Sequence, residues 1–154
     1  MIKSLFMAAC LAVVGMLGFT SQPALAAGDG FSHHVAFHVD DNDKAKMNIA
    51  LNNAANVTKY YEGKGQKVQI EVVAYGPGLH MLRLDTSPVA ARLETFSMEY
   101  ENIGFAACGN TLKGMTKKEG KMPDLINLDN VRVVPSGVVQ LMERQDQGWH
   151  YIRP

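Results

Sequence analysis

The apolar and polar positions of this chain follow two periods, which predict strands and helices in alternation. Runs of β-branched and aromatic residues predict five strands, at residues 33–39, 68–75, 103–107, 131–134 and 149–153. Apolar positions spaced three or four residues apart predict helices at residues 44–62, 88–100 and 138–147. Residues 80–84 are either a short extended piece or the start of a loop. Residues 112–130 are less regular, with a helical turn expected at residues 122–124.

The longest predicted helix has clear start and stop signals. Asp43 and the acidic residues before it supply N-cap chemistry, and Gly63 is the glycine that commonly follows a helix. The helical spacing predicts a buried stripe of Met47, Ala50, Leu51, Ala54, Val57 and Tyr61. The same spacing predicts that Met98 and Met142 are core residues of the later helices.

The alternation of strands and helices predicts a parallel sheet with helices on both faces. Several strands are apolar on both sides, as expected for strands buried in such a sheet. Ligands of parallel α/β sheets bind at the carboxyl ends of the strands. Polar and Gly/Pro-rich segments leave the predicted strands at that edge, at residues 40–43, 76–78, 108–111 and 135–137. We therefore expect a functional site there.

Residues 1–26 have the features of a secretory signal peptide. Lys3 supplies a positive charge, residues 5–19 are almost wholly apolar, and Ala24 and Ala26 are the small residues that signal peptidase requires. The apolar run is shorter than the about twenty residues of a membrane span, which disfavours an uncleaved anchor. We therefore expect export to the periplasm, cleavage after Ala26, and a mature chain, residues 27–154, that forms one domain.

The charges of the chain give no reason to expect a polyanionic partner. The chain has 15 Lys and Arg residues against 15 Asp and Glu residues, and Lys3 is lost with the signal. We therefore expect no nucleic-acid binding and no membrane association after cleavage. The chain also lacks a Rossmann glycine fingerprint, a Walker loop, a nucleophile elbow and a Cys-x-x-Cys pair, so no cofactor is expected.

Cysteine usage gives the sharpest chemical clue. Cys10 belongs to the predicted signal, so Cys108 is the one cysteine of the mature chain and has no intramolecular disulfide partner. Cys108 ends a predicted strand, and Gly109, Asn110 and Thr111 can open a helix there. Backbone N–H groups and the helix dipole at such a position lower the pKa of a thiol and favour the thiolate, which attacks sulfur or binds metal. The alternative is an inert thiol buried under the sheet.

Histidines near the same edge leave metal binding open as a rival function. His38 lies near the carboxyl end of the first strand, where it could act as an acid, a base or a ligand, or be satisfied by neighbouring carboxylates. His80 follows the turn at residues 76–78. Cys108 with His38 or His80 could bind copper or zinc. This pattern is unspecific, so no metal ligand is assigned.

Five segments, taken in order, resemble the DsrE/DsrF-like family. They are HVAFHVDDND at residues 34–43, VVAYGPG at 72–78, FAACGNTL at 105–112, VVPSGV at 133–138 and QGWHYIRP at 147–154. The resemblance covers essentially the whole mature chain. It implies a three-layer α/β/α domain with a five-stranded, mainly parallel sheet. It also implies a homo-oligomer, commonly a trimer or a hexamer.

The resemblance implies a role for the single cysteine as well. In the sulfur-relay members of the family, a cysteine after the third strand accepts sulfane sulfur as a persulfide, and Cys108 matches that position. Those members are cytosolic and work with partner proteins, whereas this chain carries an export signal. We therefore hypothesise a periplasmic sulfur carrier with a sulfur donor or acceptor protein as its partner. Its activity would be sulfur transfer at most.

The hypothesis assigns the sulfur to Cys108 and the pocket to the loops at the sheet edge. The binding residues it names are His38, Gly76, Gly78, Gly109, Asn110 and Thr111. Residues 109–111 would stabilise the thiolate, and the others would shape the pocket. The rivals are a non-catalytic ligand- or metal-binding oligomer of the same fold, and an oligomer in which Cys108 only packs.

Overall fold

The computed structural model describes residues 30–154, so the predicted signal peptide lies outside the described residues. The strands are β1 (His33–Val39), β2 (Val68–Ala74), β3 (Ile103–Cys108), β4 (Val131–Val134) and β5 (His150–Ile152). The helices are α1 (Lys44–Glu62), α2 (Ala90–Glu99), α3 (Gly109–Glu119) and α4 (Gly137–Asp146), with a 3₁₀ helix at Gly76–Leu82. No helix within residues 30–154 is long and apolar enough to cross a membrane.

The strands form one sheet in the order β4-β3-β2-β1-β5, and each neighbouring pair in it is parallel. The register places Val39 beside Ala74 and Cys108 beside Val134. The carboxyl ends of β1 to β4 therefore meet at one edge of the sheet. This confirms the parallel sheet that the alternation of elements predicts.

Helices cover both faces of the sheet, which confirms the three-layer α/β/α architecture. On one face, called the α1 face here, α1, α2 and α3 pack on a large apolar core that includes Leu51, Leu93 and Leu112. On the opposite face, called the α4 face, α4 packs through Leu141 on a smaller core around Val73. Successive strand residues alternate between the two cores, as the strand period of two requires.

The sequence signals of α1 are confirmed. Asp43 has extended backbone, and its carboxylate accepts hydrogen bonds from the backbone N–H groups of Ala45 and Lys46, at 2.7 and 3.0 Å. Gly63 follows the last turn. The predicted stripe faces the core, with Met47, Ala50, Leu51 and Ala54 buried and Val57 and Tyr61 packed against them.

Two segments differ from the sequence interpretation. Of residues 80–84, residues 80–82 belong to the 3₁₀ helix, while Arg83 is the short extended piece and forms an antiparallel bridge with Leu125. Residues 112–119 belong to α3 rather than to an irregular segment, and residues 122–124 form no helical turn. Helix α3 forms because Cys108 caps its first turn and Gly120 ends it at φ +75°, the left-handed conformation that glycine favours.

The prediction that Met98 and Met142 are core residues is wrong, because they are 79% and 58% exposed. The buried face of α2 passes through Leu93 and Phe96, and Met98 lies on the other side of that helix. In α4 the buried residues are Gly137, Gln140 and Leu141. Met142 is about 100° around the helix from Leu141, which turns its side chain towards solvent.

Candidate functional site

Cys108 lies at the junction of β3 and α3, where it is the last residue of the strand and the N-cap of the helix. Its Sγ accepts a hydrogen bond from the backbone N–H of Thr111 at 3.4 Å, the bond that a Ser or Asp oxygen makes in many helices. The residue is 5% exposed. The end of β3 thus buries the thiol, while the first turn of α3 supplies it with hydrogen-bond donors.

The loops after β3 and β4 leave the carboxyl edge of the sheet towards opposite faces. The chain leaves β3 into α3 on the α1 face, whereas it leaves β4 into α4 on the α4 face. Ligands of open α/β sheets bind outside the carboxyl ends of the strands. Cys108 and Gly137 stand at this edge, so the thiol lies where the fold class places a ligand.

Gly137, the first residue of α4, brings a second helix N-terminus to the thiol. Its backbone N–H is near enough to Sγ of Cys108 to lower the pKa of that thiol. A Cβ at Gly137 would come within 2.9 Å of Cβ and Cδ1 of Tyr75 and within 3.3 Å of Cβ of Cys108. Glycine therefore permits this close approach, and the positive ends of the α3 and α4 dipoles converge on one sulfur.

The two helix starts set the ionisation of the thiol. Burial raises the pKa of Cys108, but the donors around Sγ together act more strongly. They are the Thr111 hydroxyl, the Thr111 N–H and the nearby N–H of Gly137, whereas the Asn110 N–H donates to the carbonyl oxygen of Pro135 at 3.2 Å. The net effect holds the pKa of the Cys108 thiol below its ordinary value. The site thus favours the thiolate, the nucleophilic form of cysteine.

Thr111 connects the thiol to the loop after β2. Its hydroxyl accepts a hydrogen bond from the backbone N–H of Gly76 at 2.9 Å and donates one to Sγ of Cys108. Gly76 has φ +52°, a left-handed conformation that glycine adopts without strain. Because Gly76 occupies an acceptor position of the hydroxyl, the hydroxyl proton can point at the sulfur. Of the predicted residues, Thr111 thus contacts the thiol, Gly76 is joined to it through the Thr111 hydroxyl, and Asn110 links the first turn of α3 to Pro135.

The other two predicted glycines are points of close backbone packing. A Cβ at Gly109 would lie 3.0 Å from the carbonyl oxygen of Val134 and 3.4 Å from that of Pro135, so Gly109 lets α3 begin beside the end of β4. A Cβ at Gly78 would overlap the carbonyl group of Val39. Gly78 therefore fits the 3₁₀ helix against the end of β1, and its contact is with that strand rather than with the thiol.

His38 lies one side chain away from Cys108, with Tyr75 between them. The rings of His38 and Tyr75 stack with their centroids 4.6 Å apart. Nδ1 of His38 is 2.7 Å from the Tyr151 hydroxyl, and Nε2 is 3.6 Å from the Asp40 carboxylate. Tyr75 in turn borders Gly137 beside the thiol. His38 thus does not touch the thiol; it stacks on Tyr75, which packs beside the thiol.

The His38 ring is uncharged at neutral pH. Burial lowers the pKa of His38 and outweighs the opposing effect of the Asp40 carboxylate, so the pKa lies below its ordinary value. Nε2 of His38 is buried and has no hydrogen-bond partner. The Asp40 carboxylate is held instead by Arg153, which donates to it at 2.8 and 3.0 Å. Asp40 and Arg153 therefore form an ion pair at the rim of the His38 cluster.

The metal alternative gains no support from this arrangement. Within residues 30–154, no group of three or more His, Cys, Asp and Glu side chains is arranged to hold a metal ion. Nδ1 of His80 is 2.7 Å from the Thr86 hydroxyl, and Nδ1 of His38 is engaged by Tyr151. Among the described residues, Cys108 makes no hydrogen bond to either histidine.

Sequence reasoning missed two residues of the site, Gly137 and Tyr75. Gly137 lies in the segment 135–137 that the sequence places at the sheet edge, and a glycine opening a helix there is a signal for close backbone approach. Tyr75 directly follows β2. Their contact depends on where α4 crosses the sheet, so no local pattern could have shown that they meet.

The sheet order, the two helix layers and the thiol at the carboxyl edge of the sheet define the class of the protein: an α/β/α domain with a buried, hydrogen-bonded cysteine at its ligand edge. The sequence model of the DsrE/DsrF-like family matches residues 33–154, and this chain belongs to that family. The family is linked to sulfur relay. The match confirms the resemblance drawn from the five sequence segments.

The chain is also similar to a solved structure, that of the protein of unknown function MTH1491 from Methanobacterium thermoautotrophicum. The two chains are 35% identical, with a TM-score of 0.66, over 79% of this chain and 99% of MTH1491. No curated protein matches the chain. The comparisons therefore establish the family and the fold.

Proposed function

We propose that this protein is an exported sulfur carrier, which holds a sulfane sulfur as a persulfide on Sγ of Cys108. The observation that carries the proposal is the convergence of α3 and α4 on the sulfur. The N–H groups of Thr111 and Gly137 stabilise negative charge there, as helix N-termini do for anions. Membership of a family linked to sulfur relay supports the same chemistry.

The proposed transfer balances without an added oxidant or reductant. The Cys108 thiolate attacks the outer sulfur of a donor persulfide, R–S–SH. A new Sγ–S bond forms and the S–S bond of the donor breaks, and R–S⁻ leaves with the bonding electron pair. The proton stays on the transferred sulfur. Delivery to an acceptor thiolate is the same exchange in reverse, with the Cys108 thiolate as the leaving group.

The burial of the thiol fits carriage better than rapid turnover. Cys108 is 5% exposed, and Tyr75 and the first turn of α4 stand against it. These groups would shield a bound sulfur from other thiols in solution, because exchange requires direct access to the sulfur. The proposal therefore includes a donor or acceptor protein that reaches Cys108 at the edge of the sheet, and an activity of sulfur transfer at most.

Export and self-association are part of the proposal. Export rests on the charge, apolar run and small residues of residues 1–26. Self-association is supported by an exposed apolar strip on α4, where Val138, Val139 and Met142 are 53%, 46% and 58% exposed next to Gly137. A second copy of the chain would cover such a strip. The family resemblance makes a trimer or a hexamer the expected size.

Mass spectrometry of the native protein purified from bacterial cells tests the proposal. Incubation with polysulfide should add about 32 Da, the mass of one sulfur, to the wild type and nothing to Cys108→Ser. The rate of thiol alkylation should reach half its maximum well below the pH of about 8.5 at which a free thiol does. The same spectra should show a chain that starts at Ala27 and, under native conditions, an assembly of several subunits.

Thr111→Val is the matched variant, since it keeps the shape of the side chain and removes the hydroxyl that donates to Sγ and accepts from the Gly76 N–H. It should leave the fold intact and raise the pKa of the Cys108 thiol. A thiol that reacts only after the protein unfolds would overturn the carrier proposal. It would identify Cys108 as a packing residue.

A further inference from the structure

Glu71 is a buried carboxylate that the proposed chemistry does not use. It lies in the middle of β2 on the α4 face and is 4% exposed. Arg132 of β4 donates a hydrogen bond to it, and Gln140 and Arg144 of α4 donate to it at 2.8 Å each. A well-packed apolar residue is often as stabilising as a buried ion pair, so this cluster calls for a function other than stability.

The cluster is a firm connection between β2 and α4. Burial raises the pKa of Glu71, but the hydrogen bonds from Arg144, Gln140 and Arg132 lower it more, so the carboxylate is ionised at neutral pH. Hydrogen bonds to an ionised group are about twice as strong as neutral ones. The Arg144 guanidinium also lies 4.3 Å from the centroid of the Trp149 ring, which fixes its position further.

The two α4 residues that bind Glu71 share a helix face with Gly137. In a helix of about 3.6 residues per turn, position 140 is about one turn from position 137, and position 144 about one turn further on. Gly137 and Gln140 are both buried on the side of α4 that faces the sheet. The Glu71 carboxylate therefore sets the height of the first turn of α4 above the sheet.

Besides the Glu71 cluster, the start of α4 is held by the apolar packing of Leu141 and by the hydrogen bond from the Asn110 N–H to the Pro135 carbonyl oxygen at 3.2 Å. Ser136 is the N-cap of α4, and its side chain makes no capping hydrogen bond. The sequence joins Cys108 directly to α3, so the N–H groups of α3 stay with the thiol. Helix α4 does not follow Cys108 directly in the chain. The contact between Cys108 and Gly137 therefore depends on the position of α4 on the sheet.

We infer that Glu71 is a positioning residue for the thiol: it ties α4 to β2 and so keeps Gly137, with its backbone N–H, packed against Cys108. The inference rests on the reactive thiolate of the proposed function and adds the device that holds one of its donors in place. Glu71 acts through α4, because its own hydrogen bonds are made to Arg132, Gln140 and Arg144 rather than to the sulfur.

Glu71 has two effects on the thiol, and they have opposite signs. As a negative charge, the carboxylate disfavours the thiolate, so its removal alone would lower the pKa of Cys108. As an anchor of α4, it favours the thiolate, so its removal would release the Gly137 N–H and raise that pKa. The direction of the shift in an uncharged variant therefore separates the two effects.

The test is the pH dependence of iodoacetamide alkylation of native Glu71→Gln, which keeps the size of the side chain and removes its charge. We expect the half-point to rise by about 0.5 to 1 pH unit, which is about three- to tenfold less thiolate well below the half-point. Gln140→Leu keeps Glu71 and breaks the bond nearest Gly137, so it should shift the half-point in the same direction. A half-point that is unchanged or lower in both variants would overturn the inference.

Glu119→Gln is the matched control. Glu119 is the last residue of α3 and pairs with the buried Arg83 at 2.7 Å, so this variant also removes a carboxylate from an ion pair with a buried partner. It should leave the half-point unchanged, and an equal shift would mean a general loosening rather than positioning. An alkylation half-point of about 8.5 in the wild type would overturn the proposed function itself. A low wild-type half-point without a shift in Glu71→Gln would overturn the positioning role alone.

Discussion

The two faces of the sheet are held together in different ways. The α1 face carries three helices on a large apolar core, in which Leu51 and Phe105 are fully buried. The α4 face carries a smaller apolar core around Val73, and the ionised Glu71 lies within the same layer. The thiol of Cys108 belongs to this second face, next to the start of α4. The large core thus supplies most of the stability, while the α4 face holds the site.

Buried charge differs between the two faces as well. Arg83 is a buried cation that pairs with Glu119 of α3, and Glu71 is a buried anion that pairs with Arg144 of α4. Helix α3 begins at Cys108, and the first residue of α4, Gly137, lies beside it. Because α3 follows Cys108 directly in the chain, the Arg83–Glu119 pair is not needed to bring the N–H groups of α3 to the thiol. The Glu71 cluster, in contrast, sets the position of the first turn of α4 beside the thiol. The two ion pairs are alike, but only the one on the α4 face affects the thiol.

Truncation of matched leucines on the two faces should give the largest effects. Leu51 of α1 and Leu141 of α4 are 0% and 4% exposed. Leu51→Ala should lower the free energy of unfolding by about 2–5 kcal/mol, and Leu141→Ala by an amount near the lower end of that range, because the smaller core loses fewer contacts. Urea unfolding measures both values.

The same two variants separate the faces by their effect on the thiol. Leu141→Ala should loosen α4 and raise the pKa of the Cys108 thiol, whereas Leu51→Ala should leave it unchanged. Alkylation rates against pH, measured on the folded proteins, check this. Equal losses of stability together with equal thiol shifts would show that the two faces do not divide stability and function between them.

Gly137→Ala should give the next largest effect. A Cβ there meets Tyr75 at 2.9 Å, so the first turn of α4 must move away from the sheet. We expect a loss of about 1–3 kcal/mol in urea unfolding, as for other overpacked sites, and a raised pKa of the Cys108 thiol. Gly114→Ala is the control in α3. It has open space at its Cβ position and should gain about 0.5–1 kcal/mol from the better helix propensity of alanine.

An unchanged thiol pKa in Gly137→Ala would contradict the contact between α4 and the sulfur. A gain of stability in both glycine variants would have the same meaning, because it would show that the space beside Tyr75 is open. A thiol shift in Gly114→Ala would instead show that the pKa responds to any change in the neighbouring helices.

Much of the fold could be predicted because its signals are local in sequence. Asp43 and Gly63 mark the two ends of α1, and the bounds of β1 and β4 follow from short runs of β-branched and aromatic residues. Helix α3 was harder to predict. Its cap is a cysteine rather than a Ser, Thr, Asp or Asn, and Leu112 is the buried residue of a helix that is otherwise largely polar.

The candidate site could be predicted in its centre and not in its surroundings. Gly109, Asn110 and Thr111 follow Cys108 directly, so the hydrogen bonds of the first turn of α3 follow from sequence order. Gly137 and the partners of Glu71 come from distant segments; Arg132 and Arg144 are 61 and 73 residues from Glu71. Such contacts depend on the crossing of α4 over the sheet, which leaves no pattern in either segment.

Tyr151→Phe should give the smallest effect, and it tests where the thiol site ends on the α4 face. The Tyr151 hydroxyl is 2.7 Å from Nδ1 of His38, so its loss should cost about 0.5–1.5 kcal/mol in urea unfolding. The pKa of the Cys108 thiol should stay unchanged, because Tyr75 separates His38 from the sulfur. Tyr60→Phe is the control, since its hydroxyl bonds only to the exposed Lys64. A shifted thiol half-point in Tyr151→Phe would instead make His38 part of the thiol site, which would then extend past Tyr75 to β5.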